Sequence, residues 1–165
     1  MNVQEHANPG RSAAELLTTY RGVVHPWHCD HTGYMNAMAY AGRFDEASWQ
    51  LLTSFGLTTS YFRQHNRLLA AVQQETTFTR ELSAGDLIEI RSCLLEIRED
   101  QLHAYHEMLH AETNETVAVS RLIKAHLDSS TRRPCPLPTE IQRRSLRDSV
   151  RTGSRALEFA LPGQW

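Results

Sequence analysis

One long helical segment followed by a run of strand-length segments is the feature that most restricts the fold of this chain. Apolar or small residues recur at spacings of 4-3-4-3-4, which places them on one stripe of a helix over residues 36–55. The stripe consists of Ala37, Ala41, Phe44, Ser48, Leu51 and Phe55. Asn36 is a good N-cap, and Gly56 suits the residue after the C-cap. A single apolar stripe predicts a helix that buries one side against a sheet.

The rest of the domain has strand patterns. Five segments are long enough for strands: residues 20–28, 68–80, 87–98, 101–111 and 116–127. Short turns join the last three, which predicts an antiparallel meander, while the pairing of the first two is not fixed by the sequence. The apolar face changes midway through 87–98, which predicts a bulge or a strong twist. In 116–127, one face carries the apolar set Val117, Val119, Ile123, Ala125 and Leu127.

These elements predict an α+β fold in which an antiparallel sheet of about five strands wraps around one long central helix. The open edge of such a sheet needs cover, and a second copy related by a two-fold axis would supply it. The 165 residues fit one domain. We therefore expect an N-terminal arm at 1–19, the domain itself at 20–142 and a peripheral tail at 143–165.

Composition excludes several classes of protein. The formal charge is −2, from 17 basic and 19 acidic side chains, whereas nucleic-acid binders are normally basic. The three cysteines are widely spaced and odd in number, which favours a reducing cytoplasm over a disulfide framework. The first residues lack the features of a signal peptide, and no apolar run approaches the ~20 residues of a membrane span. We expect a cytoplasmic protein with neither nucleic-acid nor membrane partners.

The segment from His25 to Tyr40 carries the most chemical information. It places Asp30 on a polar turn shortly before the predicted helix. The first N–H groups of a helix have no partners within it and carry partial positive charge, so they hold an oxyanion and favour an ionised carboxylate nearby. A carboxylate beside preformed donors is the minimum required to attack an acyl group.

Within this segment, Asp30-His-Thr-Gly-Tyr-Met-Asn-Ala-Met-Ala-Tyr40 resembles the opening motif of the 4-hydroxybenzoyl-CoA thioesterase family of hotdog-fold proteins, Asp-x-x-Gly-His-Val-Asn-Asn-x-x-Tyr. The stretch 79–86 resembles the turn before the third strand of that family, and 127–138 resembles its exit from the last strand. The resemblance covers roughly residues 20–142, and it implies the hotdog fold.

The resemblance also implies hydrolysis of an acyl-CoA thioester by a homodimer or homotetramer, without a cofactor. Asp30 would act as nucleophile, through a mixed anhydride, or as general base for water. The thioester carbonyl would point at the helix N-terminus, where the backbone N–H of Ala37 is the expected oxyanion donor. One such donor is worth about 3–4 kcal/mol in the transition state. Tyr34, Asn36 and Tyr40 are the expected substrate contacts.

Three positions depart from the family's motif. Tyr34 replaces its frequent His, Ala37 replaces its second Asn, and His28 stands where many members have a second Asp. The carboxylate of Asp30 is kept. Because the expected oxyanion donor is a backbone group, an Ala in place of Asn retains it.

Other residues are expected around the substrate. Lys124, Arg132 and Arg133 are candidates for the CoA phosphates, with solvated surface charge as the alternative. Residues from 57–67 or 68–80 of a partner subunit are expected to complete the site. Candidate second carboxylates from that subunit are Glu75 and Glu81, and candidate liners of the acyl pocket are Tyr34, Trp49, Tyr61 and Phe62.

Two other functions compete with hydrolysis. A non-catalytic acyl-CoA binding or sensor protein would use the same groove without releasing CoA. A hotdog dehydratase or hydratase would pair a His with a carboxylate, for which His28 and His31 are available. Metal binding is not expected, because the spacing of His25, His28 and His31 on a strand and turn does not bring three rings together.

Overall fold

One long helix lies against a five-stranded sheet. A computed structural model describes residues 16–143, so the predictions for the arm before residue 16 and for the tail after residue 143 lie outside the described residues. The elements in chain order are β1 (Leu17–Val23), a 3-10 turn (Pro26–His28), α1 (Ala37–Ser54), α2 (Thr59–His65), β2 (Arg67–Phe78), β3 (Leu87–Ile97), β4 (Gln101–His110) and β5 (Thr116–Asp128). This order confirms the predicted α+β class. Neither described helix has the length and apolar character needed to cross a membrane.

The five strands form one antiparallel sheet in the order β1-β3-β4-β5-β2. The chain-order neighbours β3, β4 and β5 are adjacent in the sheet, which confirms the predicted meander. The pairings that the sequence left open are β1 with β3 and β2 with β5. The register of β3 against β4 shifts between Leu94 and Glu96, and this confirms the predicted bulge.

The first strand is displaced from its predicted position. β1 ends at Val23 rather than at residue 28, and Pro26–His28 form the 3-10 turn instead. Proline has a fixed φ and no N–H to donate, so the ladder of β1 does not continue through Pro26. At its other end the strand begins at Leu17. Residues 17–19, predicted as part of the arm, therefore belong to the sheet.

Helix α1 has the caps that its sequence predicts. The Asn36 side chain accepts a hydrogen bond from the Ala39 N–H at 2.9 Å. Gly56 follows the C-cap residue Phe55 with a φ of 91°, a conformation that costs glycine little. The buried residues of the helix are Tyr40, Phe44, Ala47, Ser48, Leu51 and Leu52. They pack against the sheet, mainly over β1, β3 and β4.

The face of β5 that looks at α1 is partly polar. Ala118 packs in one cluster with the helix residue Phe44, whereas Val119 packs in a separate cluster on the opposite face. Because side chains alternate along a strand, Ser120 and Lys124 share the face of Ala118. Both are buried. The apolar set predicted for this strand therefore lies mainly on the face turned away from the helix.

Strand β2 forms one edge of the sheet and is exposed along most of its length. It pairs with β5 on one side, and in the described part of the chain no strand covers its other side. Val72 is 57% exposed and Phe78 is 50% exposed. A long, uncovered edge with apolar side chains is a surface on which another strand pairs.

Candidate active site

A tight turn presents Asp30 in front of α1. The Asp30 N–H donates to the carbonyl of Tyr34 at 3.0 Å, and the Gly33 N–H donates to the carbonyl of Asp30 at 3.0 Å. Gly33 has a φ of 86°, in the left-handed region that glycine adopts readily. The Met35 N–H donates to the carbonyl of Leu82 at 2.8 Å, which ties the turn to the segment before β3. The position of Asp30 is therefore set by backbone hydrogen bonds.

One carboxylate oxygen of Asp30 is engaged, and the other has no partner in the described part of the chain. Oδ1 accepts hydrogen bonds from the Thr32 hydroxyl and from the Thr32 N–H, the latter at 2.8 Å. These two bonds lower the pKa of Asp30 below its ordinary value, and the bond from the hydroxyl has the larger effect. The carboxyl group is therefore ionised at neutral pH. Oδ2 has no hydrogen-bond partner among residues 16–143. An ionised oxygen in this state is available to attack a carbonyl carbon or to take a proton from water.

The N-terminus of α1 opens beside this turn. The Asn36 N–H donates to the carbonyl of His28 at 2.9 Å, which joins the 3-10 turn to the helix start. The Asn36 side chain is occupied by the N-cap bond to Ala39. Ala37 is the first helical residue, and no acceptor for its N–H occurs in the described structure. A free N–H at the positive end of a helix is a donor suited to an oxyanion.

These groups line one cavity of about 660 Å³, which we call the Asp30 cavity. It brings together the five residues predicted for catalysis or substrate contact: Asp30, Tyr34, Asn36, Ala37 and Tyr40. The rest of its lining is Thr32, Met35, Phe78, Thr79, Arg80 and Glu81. The volume falls within the roughly 300–1,000 Å³ of small-molecule sites.

Tyr40 forms a buried wall of the Asp30 cavity. Its ring makes an edge-to-face contact with Phe78, at 5.0 Å between centroids, and its hydroxyl donates to the carbonyl of Arg80 at 3.4 Å. Burial raises the pKa of Tyr40 to about 12, with the negative charges of Glu81 and Asp86 adding to the effect. The phenol is therefore neutral at physiological pH, and it packs and donates a hydrogen bond.

Part of the cavity wall, formed by Arg80 and Glu81, was not expected from the sequence of this chain alone. Arg80 lines the cavity while its guanidinium pairs with Glu115. Glu81, expected from a partner subunit, lines the cavity of its own chain. Both residues lie in the stretch 79–86, and its resemblance to the family is the signal that pointed to this wall. Glu75 is exposed on β2, outside the cavity lining.

His28 is buried beneath the turn, and its two ring nitrogens contact the backbone of His25 and the side chain of Arg43. Its Nδ1 accepts from the His25 N–H at 3.0 Å, and its Nε2 lies 2.8 Å from a guanidinium nitrogen of Arg43. Burial, followed by the charge of Arg43, lowers the pKa of His28. Its hydrogen-bond partners therefore do not form the His–carboxylate pair that the dehydratase hypothesis needs.

The residues predicted for the CoA phosphates lie away from the Asp30 cavity of their own chain. Lys124 is 4% exposed. Its ammonium lies 3.4 Å from Oδ1 of Asp45 and 4.3 Å from the ring centre of Trp49, both on α1. Arg132 and Arg133 are exposed in the turn after β5. That turn adjoins the start of β2, whereas the Asp30 cavity lies at the end of β2.

A second cavity, of about 450 Å³, lies at the other end of β2, and we call it the Trp49 cavity. Its lining includes Trp49, Phe62, Arg63, Arg67, Leu68 and Leu69. Two of the predicted acyl-pocket liners, Trp49 and Phe62, are thus separated from Tyr34. Tyr61 lines neither cavity. Its hydroxyl lies 3.1 Å from Nε2 of His126, and this contact ties α2 to β5.

Comparison with known proteins identifies the family. The model of the Thioesterase-like superfamily matches residues 24–145. A betainyl-CoA thioesterase of Pseudomonas aeruginosa is 24% identical over 128 residues, which cover 78% of this chain and 80% of that protein. An L-carnitine dehydrogenase/betainyl-CoA thioesterase of Agrobacterium fabrum is 25% identical over 139 residues, which cover 84% of this chain but 28% of that longer protein.

Solved structures show the same fold. A Staphylococcus aureus protein determined in complex with CoA superposes with a TM-score of 0.78 at 18% identity, covering 90% of this chain and 96% of that one. A 1,4-dihydroxy-2-naphthoyl-CoA thioesterase of Synechocystis gives a TM-score of 0.68 at 19% identity, covering 76% of this chain and 92% of that one. With the family model spanning most of its length and the fold shared with these structures, the chain belongs to the thioesterase-like superfamily of hotdog proteins.

Proposed function

We propose that this chain hydrolyses acyl-CoA thioesters in the Asp30 cavity. The observation that carries the proposal is that one cavity holds both an ionised carboxylate oxygen and the N–H at the start of α1, neither of which has a hydrogen-bond partner within residues 16–143. Relatives named betainyl-CoA thioesterases and a structural neighbour that holds CoA support the substrate class.

The reaction follows from these two groups. The thioester carbonyl oxygen accepts a hydrogen bond from the Ala37 N–H, and the positive end of α1 stabilises the negative charge that develops on it. As a nucleophile, Asp30 forms a C–O bond while the C–S bond breaks, and CoA leaves as a thiolate that is then protonated. Water hydrolyses the resulting mixed anhydride to the free acid and restores the carboxylate. As a general base, Asp30 instead takes a proton from the attacking water.

The exposed edge of β2 supports a homodimer as the working unit. Two copies that pair antiparallel along this edge cover its unpaired backbone groups and its apolar side chains, including Val72 and Phe78. A homotetramer would stack two such dimers. The same pairing brings the turn that carries Arg132 and Arg133 toward the Asp30 cavity of the other copy, where these exposed cations would meet CoA phosphates.

Substitution of the carboxylate tests the proposal. The purified protein is assayed with a panel of CoA esters, betainyl-CoA among them, and a thiol-trapping dye. Asp30→Asn should lower kcat by roughly 10²- to 10⁴-fold, the range of a lost acid–base group or nucleophile. Thermal melting confirms that the variant folds.

Asp100→Asn, in the turn before β4, is the matched control and should keep full activity. A protein that binds CoA esters tightly but releases no thiol would be a sensor rather than an enzyme. Full turnover by Asp30→Asn would remove the assigned role.

A further inference from the structure

The two cavities of one chain are too far apart to share a substrate. Leu69 lines the Trp49 cavity near the start of β2, and Phe78 lines the Asp30 cavity at its end. They are separated by most of an extended strand, about 30 Å at ~3.3 Å per residue. Antiparallel pairing of two β2 edges, on the other hand, sets the start of one strand beside the end of the other. The Trp49 cavity of one copy then adjoins the Asp30 cavity of its partner.

The Trp49 cavity has an apolar floor with positive charge at its rim. Trp49, Phe62, Leu68 and Leu69 supply the floor. Arg67 is neutralised by Asp128 at 2.8 Å, whereas Arg63 is exposed and has neither an ion pair nor a side-chain hydrogen bond within the described residues.

A second cation stands close behind this floor. The ammonium of Lys124 lies 4.3 Å from the ring centre of Trp49. Lys124 is paired with Asp45 at 3.4 Å, as Arg67 is with its own carboxylate partner. Arg63 is therefore the cation of this cavity that has no anionic partner within the described residues, and a positively charged acyl group would be repelled by it. A purely apolar acyl group would pack against the floor of the cavity but would leave the Arg63 guanidinium without a hydrogen-bond acceptor. A carboxylate would satisfy that guanidinium by paired N–H···O bonds.

We propose that the Trp49 cavity binds the far end of the acyl group, and that the preferred acyl group is an apolar chain or ring ending in a carboxylate. The thioester of the same substrate lies in the Asp30 cavity of the other copy. This inference rests on the proposed hydrolysis of CoA esters, and it adds the substrate class and the residue that selects it. The cavity volume of about 450 Å³ is sufficient for such a group.

Matched pairs of substrates test the substrate class. Straight-chain acyl-CoA esters are compared with ω-carboxyacyl-CoA esters of equal carbon count, from butanoyl and succinyl to decanoyl and sebacoyl. At the best chain length the carboxylated ester should have the higher kcat/KM. Arg63→Gln should lower the ratio of the two kcat/KM values by about tenfold, the loss expected for one charge-assisted contact. Arg21→Gln, which removes an exposed arginine of β1, is the matched control and should leave the ratio unchanged.

Each other outcome overturns a defined part of the idea. A ratio at or below one for every chain length, or a ratio that Arg63→Gln leaves unchanged, overturns the substrate class. An equal rise in KM for both series would show that Arg63 meets the CoA phosphates instead. If no CoA ester is hydrolysed at all, the proposed function itself has failed.

A heterodimer tests whether the two cavities work across the interface. Asp30→Asn and Arg63→Gln chains are co-expressed with different affinity tags, and the mixed dimer is purified through both. Its active Asp30 belongs to the chain that lacks Arg63. If the partner supplies the Trp49 cavity, the preference for the carboxylated ester returns to the wild-type ratio. If the ratio stays at the Arg63→Gln level, the cavity does not serve the partner and the proposal is wrong.

Discussion

The Asp30 cavity and the Trp49 cavity lie at opposite ends of the same strand, and they are built in different ways. In the Asp30 cavity the important groups are placed by backbone: a turn closed by Gly33 and Tyr34, and the first N–H of α1. In the Trp49 cavity the important groups are side chains, four apolar ones and two arginines. Most substitutions retain the backbone N–H of a residue, whereas every substitution replaces its side chain.

This difference separates reactivity from selectivity. Turn and helix-start geometry can be kept while every exposed side chain changes, as the replacement of the family's second Asn by Ala37 illustrates. A cavity made of side chains can change its preferred acyl group without disturbing the turn that carries Asp30. We therefore expect substitutions in the Asp30 cavity to change kcat, and substitutions in the Trp49 cavity to change the choice of acyl group.

The largest expected effect comes from removing the oxyanion donor itself. Ala37→Pro deletes the N–H at the first helical position, where proline is well tolerated, and Asn36 already has the extended conformation required before proline (φ −82°, ψ 157°). We expect kcat to fall by about 10²- to 10³-fold with the fold intact, as measured by thiol release and circular dichroism.

Thr59→Pro makes the same change at the start of α2, in the lining of the Trp49 cavity. This substitution should leave kcat unchanged and alter only KM. Equal losses of kcat in the two proline variants would contradict the division of roles between the cavities.

A smaller effect concerns the pH dependence of the Asp30 cavity. The Thr32 hydroxyl is the largest cause of the lowered pKa of Asp30, so Thr32→Val raises that pKa toward its ordinary value. Activity needs the ionised form and is lost as the pH falls through the pKa. The acid limb of kcat/KM should therefore move to higher pH in Thr32→Val, measured between about pH 3 and 7 where carboxyls titrate. Thr32→Ser keeps a hydroxyl and should keep the wild-type limb. An unchanged limb in Thr32→Val would mean that the limb reports a group other than Asp30.

The smallest expected effect concerns Lys124, between the two cavities. Lys124→Met should leave KM for CoA esters unchanged, because the ammonium faces Asp45 and Trp49. It should also keep the free energy of unfolding at pH 7 within about 1 kcal/mol, since Asp45 remains solvated when its partner is lost. A tenfold rise in KM would instead indicate that Lys124 contacts CoA.

The pH dependence of stability provides a second readout for Lys124. Burial lowers the pKa of Lys124 in the folded state, against the weaker opposing effect of Asp45. The unfolded chain then binds the proton more tightly, so the wild type gains stability as the pH rises from the folded pKa to the ordinary lysine value. Lys124→Met should lack this gain when denaturant unfolding is compared at neutral and alkaline pH.

Local sequence patterns were sufficient for the parts of the site that depend on neighbouring residues. The N-cap Asn36 and the Gly-containing turn after Asp30 are set within a few residues of chain, and the bounds of α1 and its caps follow the prediction. The change of face within 87–98 likewise predicted the bulge near Leu95. The predicted stripe was right for Phe44, Ser48 and Leu51 but wrong for Ala37 and Ala41, which are exposed. The reason is that packing against the sheet buries a side of the helix that also includes Tyr40, Ala47 and Leu52. The catalytic role of Asp30 stays a prediction, because its position alone does not measure its reactivity.

Predictions that needed long-range packing were the ones that changed. Periodicity in β5 identified an apolar face. Pairing with β4, however, decided which face of the strand is buried against α1, and that is the partly polar face that carries Lys124. Pairing with β3 likewise extended β1 back to Leu17.

The sequence by itself determined that α1 and the meander of β3, β4 and β5 form, where α1 begins, and that Asp30 precedes it on a turn, because these features depend on contacts between near neighbours along the chain. The tertiary structure alone decided that Glu81 joins Asp30, that Lys124 is buried, and that Trp49 and Tyr34 belong to different cavities. Those outcomes depend on which strands pair and on which face of each strand meets α1. A one-residue difference in register or face reverses them without altering the local pattern.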